Sequence, residues 1–249
     1  MSGRLRAVFF DLWGTLIVDD PLTSAERQRF RLARVRETLA TLGIDRPEEE
    51  IETAFAAAGA EHELLHQQER DLSARGRTVA YVRQIDDALP AGLDDAAWRR
   101  LDDAILAPAL QYPPAAMPGA RDALMAVRAL GIGTGLISNT GVTPGSILRE
   151  ILGRMRLLEL LDVTVFSDEA QLAKPAAAIF EGAAAEIGVE AGAVAFVGDQ
   201  PRLDVLGARR AGMWAVQIGD VAEDGTPEPH ARIAALGELV PALQAMGLV

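Results

Sequence analysis

An aspartate that closes a buried strand is well placed to act as a carboxylate nucleophile, and Asp11 stands in that position. The segment "RAVFFDLWGTLI", residues 6–17, runs apolar up to Asp11 and then turns at Gly14-Thr15. Later strand-like segments end in groups that complement it. "IGTGLIS" delivers Ser138 and Asn139, "AKP" carries Lys174, and "AVAFVG" ends at Gly198-Asp199 with Asp204 five residues on. A carboxylate, a hydroxyl, an ammonium and a pair of acids together suit attack on an anionic group held by cations. A second acid two residues after Asp11 would complete a phosphate-transfer loop, but Trp13 occupies that position.

Lys174 is singular. Of the 24 basic residues 23 are arginine, so one lysine stands alone. A GC-rich gene explains the arginine bias, and the exception marks a site that needs a compact ammonium.

The elements that would position these groups follow from hydropathy patterning. Residues 5–11 read as a short buried strand. From 23 to 110 the pattern is helical, with segments 24–42, 48–70, 76–89 and 94–110 carrying apolar residues at three- and four-residue spacing. The proline-rich stretch "QYPPAAMPG", 111–119, reads as a connector between domains. Beyond it, helices 119–130, 143–155, 176–187, 202–211 and 236–246 alternate with strands 132–138, 163–166, 193–198 and 214–219. Alternation of this kind predicts an α/β fold, a doubly wound parallel sheet covered on both faces. The helical block becomes an insertion after the first strand. The expected division is a core of 1–17 with 113–249 and an all-helical cap of 18–112. Ligands of such sheets bind at the carboxyl ends of the strands, where the groups above converge.

This ordered set resembles the haloacid dehalogenase-like hydrolase superfamily over almost the whole chain. "FFDLWGTLI" is similar to its first motif, "LISNTG" to its second, "AKPAAAIF" to its third and "FVGDQPRLD" to its fourth. "MPGARDALMAVRALG" is similar to the family's approach to the second motif, and the helical insertion to its small cap. The resemblance implies a Rossmann-like core and these roles: Asp11 as nucleophile forming an aspartyl intermediate, Thr15 and Ser138 bonding the transferring group, and Lys174 offsetting negative charge. It places Trp13, Gly14 and Asn139 against the substrate. It also implies Mg²⁺ held by Asp11, Asp199, Asp204 and the Trp13 backbone carbonyl, and a small phosphorylated metabolite as substrate. An anionic carboxylate approaches a phosphate dianion only with cations between them, and oxygen-rich ligands suit Mg²⁺.

Trp13 is the departure. The family's phosphatases carry there an acid that protonates the leaving oxygen and later activates water. An indole does neither, since its one polar atom is an N–H donor. Its backbone carbonyl is unchanged, so the metal site is expected to survive while proton transfer is impaired or relocated. The family's dehalogenases carry an aromatic residue at this position and need no metal. They replace the first fourth-motif acid with neutral groups, however, whereas Asp199 and Asp204 are both present here. The tyrosine they place six residues after the lysine is Phe180 here. The phosphonate-cleaving branch needs a cap lysine, which this chain lacks. The preferred reading is a Mg²⁺-dependent phosphatase. The alternatives are a 2-haloacid dehalogenase-like hydrolase and a weakly active or non-catalytic binding or regulatory protein.

Composition bounds the rest. A net charge of −12 argues against a sequence-independent grip on nucleic acid. The absence of cysteine excludes disulfides and thiolate sites. No apolar stretch is long enough to span a bilayer, and Asp11 interrupts the first apolar run too early for a signal peptide, so a cytoplasmic location is expected. Oligomeric state is not encoded in any pattern here. "HELLH", 62–66, matches a zinc-protease pattern. His230 lies far off in the chain and Glu69 has an unusual spacing for a third ligand, so a polar helix face is preferred. "GIGTG", 131–135, lies before and inside a strand, not in a phosphate-cradling turn. The cap arginines Arg27, Arg31, Arg34 and Arg36 could hold an anion, but a solvated helix face is the preferred reading for them.

Overall fold

The computed structural model describes residues 4–249; residues 1–3 of the expected core segment lie outside it. The chain opens with β1 (Ala7–Phe10), passes the Asp11 turn and enters β2 (Ile17–Val18). Four helices follow: α1 (Pro21–Thr41), α2 (Glu48–Gln67), α3 (Ala74–Ile85) and α4 (Asp95–Leu106). Next come β3 (Ala115–Ala116), α5 (Ala120–Ala129), β4 (Gly133–Ser138), α6 (Gly145–Arg154) and β5 (Val163–Phe166). The remainder is α7 (Ser167–Ala170), α8 (Ala177–Glu186), β6 (Val194–Gly198), α9 (Leu206–Arg210), β7 (Trp214–Ile218), β8 (Ala231–Ile233) and α10 (Leu239–Ala245).

Six strands form one parallel sheet in the order β5-β4-β1-β6-β7-β8. Strand alternation decides which side chain supports which helix layer. Val8 and Phe10 pack on the face holding Leu124, Val127, Leu148, Leu152, Leu239 and Leu243. Ala7 and Phe9 point to the other face, with Ile179, Phe180, Ala183 and Ala208. A strand buried on both sides therefore reads as a continuous apolar run, which is what "AVFF" is.

The helical insertion has its own core, in which Leu32, Val35 and Leu39 meet Phe55, Tyr81, Leu101 and Ile105. Side-chain caps set three of its starts. Asp20 caps α1 by accepting the Thr23 N–H at 2.9 Å, with Pro21 in the first turn. Ser73 and Asp94 cap α3 and α4 in the same way.

Three features differ from the sequence reading. Residues 17–18 and 115–116 pair as an antiparallel ribbon where the chain leaves and re-enters the sheet-forming part, the second of the two strands lying inside what reads as a proline-rich connector. An additional parallel strand, 231–233, extends the sheet from a region to which the hydropathy patterning assigns no element. The helix expected over 202–211 begins as a wide π-helical turn over Pro201–Val205 and becomes α-helical only from Leu206. That turn holds Asp204.

Candidate active site

The central position of β1 places Asp11. Phe10 is level with Leu136 of β4 and Val197 of β6, and the Asp11 N–H continues the ladder to the Val197 carbonyl at 2.8 Å. Asp11 thus emerges between the ends of β4 and β6, which carry Ser138 and Gly198-Asp199. The chain then turns sharply, with the Leu16 and Ile17 N–H groups both returning to the Leu12 carbonyl. Gly14 sits in the left-handed region at φ +78°, and a Cβ there would collide with the Asp199 carboxylate. The first loop is pressed against the fourth-motif acid for that reason.

Lys174 reaches the same point from the loop after α7. Asn139 holds its backbone, accepting the Lys174 N–H at 2.7 Å through Oδ1 and donating from Nδ2 to the Lys174 carbonyl at 3.1 Å. The ammonium is buried, donates to Asp11 Oδ1 at 2.5 Å and Asp204 Oδ1 at 2.6 Å, and lies 5.3 Å from the Phe196 ring centroid. Asp204 is held through its other oxygen by the Gln200 N–H at 2.9 Å. A Cβ at Gly198 would overlap the Asp204 carboxyl, so β6 must end in glycine for this packing. Ser138 is buried, and its hydroxyl donates to the Asn139 carbonyl at 3.1 Å.

Oxygen atoms of Asp11, Asp199 and Asp204 lie within 4.8 Å of one another. Three carboxylates face one ammonium. Burial pushes the Asp11 carboxyl up to about 7; Lys174 opposes this, and the Asp204 and Asp199 charges add to it. Asp199 rises to about 6, mainly through burial and then through Asp204. Burial also works against the Lys174 charge, yet Asp11 and Asp204 hold the ammonium above its ordinary value. The cluster is short of positive charge. Asp11 Oδ2, Thr15 Oγ1 and Asp199 Oδ1 are buried and have no hydrogen-bond partner. Buried polar atoms are normally satisfied, so these three mark where a ligand belongs. Phe180, at the position where the dehalogenases carry tyrosine, is edge-on to Phe196 in the sheet's second core, with ring centroids 4.9 Å apart.

A second polar cluster lies between the insertion and the sheet. His62 and His66 are joined by Asp71, a group the sequence reading overlooked. Asp71 lies beyond the end of α2 and is turned back by Glu69 at φ +61°. Glu69 itself pairs with Arg210 at 2.7 Å. The Asp71 carboxylate is already saturated. His62 and the Leu72 N–H approach Oδ1 at 2.6 Å, while Oδ2 meets Arg77 at 2.6 Å and the Ser167 hydroxyl. Burial opposes its charge, but His62, His66, Arg77 and Ser167 hold it well below the usual carboxylate range. With arginine in the cluster, Asp71 serves as an anchor and not as a metal ligand. Arg77 continues the anchor to the Thr140 hydroxyl and the Gly141 carbonyl, just past Ser138-Asn139. The 69–71 loop also bonds the backbone just ahead of Lys174, through Ala173 N–H to the Glu69 carbonyl at 3.1 Å.

Removing one partner of a buried ion pair typically costs about 3–5 kcal/mol. Arg77 and Asp71 have side-chain exposures of 2% and 0%. Arg77→Met is expected to cost that much, read as a lower urea midpoint. Arg34→Met, which removes an exposed pair with Asp103, should cost less than about 1 kcal/mol.

The arginines of α1 divide. Arg34 pairs with Asp103 near the surface and Arg36 is exposed, as a solvated face requires. Arg27 and Arg31 do not fit that reading, because both are buried, at 6% and 5% exposure. They lie one turn apart on the same face of α1 as Val35, turned inward by hydrogen bonds to the Tyr112 and Ile105 carbonyls. A cleft of about 490 Å³ beside them is bounded by Trp13, Gln28 and residues 141–143.

Known proteins resemble this chain in sequence and in fold. The sequence model of one protein family, described as haloacid dehalogenase-like hydrolase, matches residues 5–212. A phosphoserine phosphatase of Thermus thermophilus is 33% identical over 143 residues, 57% of this chain and 55% of that protein, so the match spans about half of that relative's length. A glyceraldehyde 3-phosphate phosphatase of Methanopyrus kandleri is 29% identical over 86% of this chain and 84% of its own. A crystal structure of a 2-haloacid dehalogenase from Pseudomonas syringae superposes with a TM-score of 0.70 over 97% of this chain and 99% of that one, at 23% identity, a likeness of fold. No helix among the described residues is long and apolar enough to cross a membrane.

Proposed function

Because this chain belongs to the haloacid dehalogenase-like hydrolase family, we propose that it is a Mg²⁺-dependent phosphatase acting on a small phosphorylated metabolite in the cytoplasm. The helical insertion, residues 18–112, is its cap. The observation that carries this reading is the charge count around Lys174: three carboxylates, one ammonium, and two carboxylate oxygens buried without partners. That excess of negative charge fits a divalent cation held by Asp11, Asp199, Asp204 and the Trp13 carbonyl. Bound there, Mg²⁺ would screen the carboxylates from the phosphate and polarise its oxygens.

The residues divide the work. Asp11 attacks phosphorus, forming the aspartyl-phosphate as the ester P–O bond breaks. The orphaned Thr15 hydroxyl and Ser138 hold the phosphoryl oxygens, and Lys174 offsets charge on the nucleophile. Asn139 keeps Lys174 in register through its backbone. The indole of Trp13 neither gives the leaving oxygen a proton nor takes one from the water that later cleaves the acyl-phosphate. Relatives that are phosphatases support the reaction class. The aromatic residue at Trp13 favours a second reading, hydrolysis of a 2-haloacid; retention of both Asp199 and Asp204 weighs against it.

The test is a panel of phosphate monoesters and 2-haloacids, each with Mg²⁺ and with chelator. Ester turnover that requires Mg²⁺ is expected. Haloacid turnover that survives chelation would overturn the phosphatase reading.

The raised carboxyls give a further expectation. Below about pH 6–7 Asp199 and Asp11 hold protons that a cation must displace. Mg²⁺ affinity, followed by calorimetry, should therefore weaken as pH falls from 8 to 5.5, by up to about tenfold per pH unit for each proton released. A flat profile would mean that the two groups are ionised throughout.

A further inference from the structure

The cleft beside Trp13 contains a buried cation that the phosphoryl chemistry leaves unused. Of the two buried arginines on α1, Arg27 is fully committed: Nη1 and Nη2 donate to the two oxygens of Asp19 at 2.7 Å each, and Nε donates to the Tyr112 carbonyl at 2.7 Å. Arg31 is not. Its Nε donates to the Ile105 carbonyl at 2.8 Å and its Nη1 to the Gln28 side-chain oxygen, both neutral acceptors. Among the described residues no carboxylate lies within ion-pair distance of it, and it is 5% exposed. Burial pulls the guanidinium down to about 10; Tyr81 opposes this and Arg27 adds to it, and the group stays charged at neutral pH.

A buried charge without a counter-charge is costly, and proteins seldom keep one that has no partner at all. Arg31 lines the same cleft as Trp13 and the 141–143 loop, which directly follows Ser138 and Asn139. The missing counter-charge is therefore best supplied from the cleft, by the part of the substrate that points away from Asp11. A planar guanidinium matches a carboxylate in shape as well as in charge.

We propose that Arg31 binds a carboxylate carried by the substrate, so that the enzyme selects phosphate esters bearing a carboxylate close to the ester carbon. This rests on the phosphatase reading for its turnover test but not for its binding test. The probes are 2-phosphoglycolate and ethyl phosphate, which share the phosphate–O–CH₂ linkage and differ in that the first carries a carboxylate where the second carries a methyl group. Wild-type protein with Mg²⁺ should prefer phosphoglycolate in kcat/KM. Arg31→Met should lose at least about tenfold more on phosphoglycolate than on ethyl phosphate, chiefly through KM, and Arg31→Lys should recover part of that loss. Equal losses on both esters would make Arg31 a packing residue and overturn the proposal. So would an Arg31→Lys variant no better than Arg31→Met while circular dichroism shows both folded.

The second measurement needs no turnover. Calorimetry with the Asp11→Asn protein should show tighter binding of phosphoglycolate than of ethyl phosphate, and the difference should vanish in Asp11→Asn/Arg31→Met. If wild type hydrolyses no ester of the panel, these two included, but this Arg31-dependent difference remains, the phosphatase reading fails and the carboxylate site stands. If the difference is absent, the carboxylate site fails whatever the enzyme hydrolyses.

Discussion

Asp11→Asn should abolish hydrolysis and, in the presence of a chelator, make the protein melt at a higher temperature. The first effect follows from position. Asp11 closes the central strand, with one oxygen on Lys174 and the other buried and free. An amide is no nucleophile at phosphorus, so a loss on the order of 10⁴-fold or more is expected, comparable to losing an essential nucleophile elsewhere. Steady-state turnover of any ester accepted by the wild type measures it; a loss below about tenfold would remove Asp11 from the chemistry. The second effect has the opposite sign. The Asp11 carboxyl stands at about 7 in the folded chain against an ordinary 3.8, through burial and the Asp204 and Asp199 charges, despite Lys174. Between about pH 4 and pH 7 the folded form therefore binds more protons than the unfolded one. Stability falls as pH rises through that window and stays lowered above it. Asparagine removes the charge and keeps the shape, and Lys174 retains Asp204. Each kcal/mol recovered at pH 8 should raise the melting temperature by about 2–4 °C for a chain of this size. A lower melting temperature would show that the Lys174 attraction outweighs burial and repulsion.

The sheet was legible because its strands are buried on both faces and carry unbroken apolar runs. "AVFF" and "AVAFVG" admit little else between turn residues. The two-residue strands at 17–18 and 115–116 have no period to detect, and 231–233 is fixed by pairing with β7 and not by its own composition. Asp11, Lys174, Asp199 and Asp204 could be singled out because each ends or follows such a strand, and the structure brings all four together. Asp71 and Arg77 escaped notice for a different reason. Their role comes from a left-handed turn at Glu69 and from contacts with residues about sixty and a hundred positions away. Arg27 and Arg31 were misjudged because patterning assigns charge to the solvent face. Here Asp19 and two backbone carbonyls draw them onto the inner side of α1. Hydropathy carries no term for a charge turned inward by specific hydrogen-bond acceptors.

Trp13→Asp should raise phosphatase activity, by about 10²–10⁴-fold if proton transfer limits the wild type. The argument is one of placement. Residue 13 lies two positions after the nucleophile on a turn fixed by the Leu12 and Ile17 backbone bonds, and it lines the cleft that Arg31 also lines. An acid there can protonate the departing ester oxygen and then deprotonate water, which the indole cannot do. The dependence on leaving group should change with the rate. Wild-type protein should favour esters whose alcohols leave readily as anions, such as p-nitrophenyl phosphate, and should fall steeply on alkyl phosphates. Trp13→Asp should flatten that slope, because the leaving oxygen no longer departs unaided. The indole is half-buried against the core cluster of Leu12, Leu16 and Ile17, so the exchange should also cost stability, about 1–3 kcal/mol for the lost apolar contact. The two effects separate cleanly, since assays below the variant's melting temperature read the chemistry alone. Should the gain be absent and the slope unchanged, another group in this pocket already moves the proton, and Trp13 serves only to wall the cleft that Arg31 also lines.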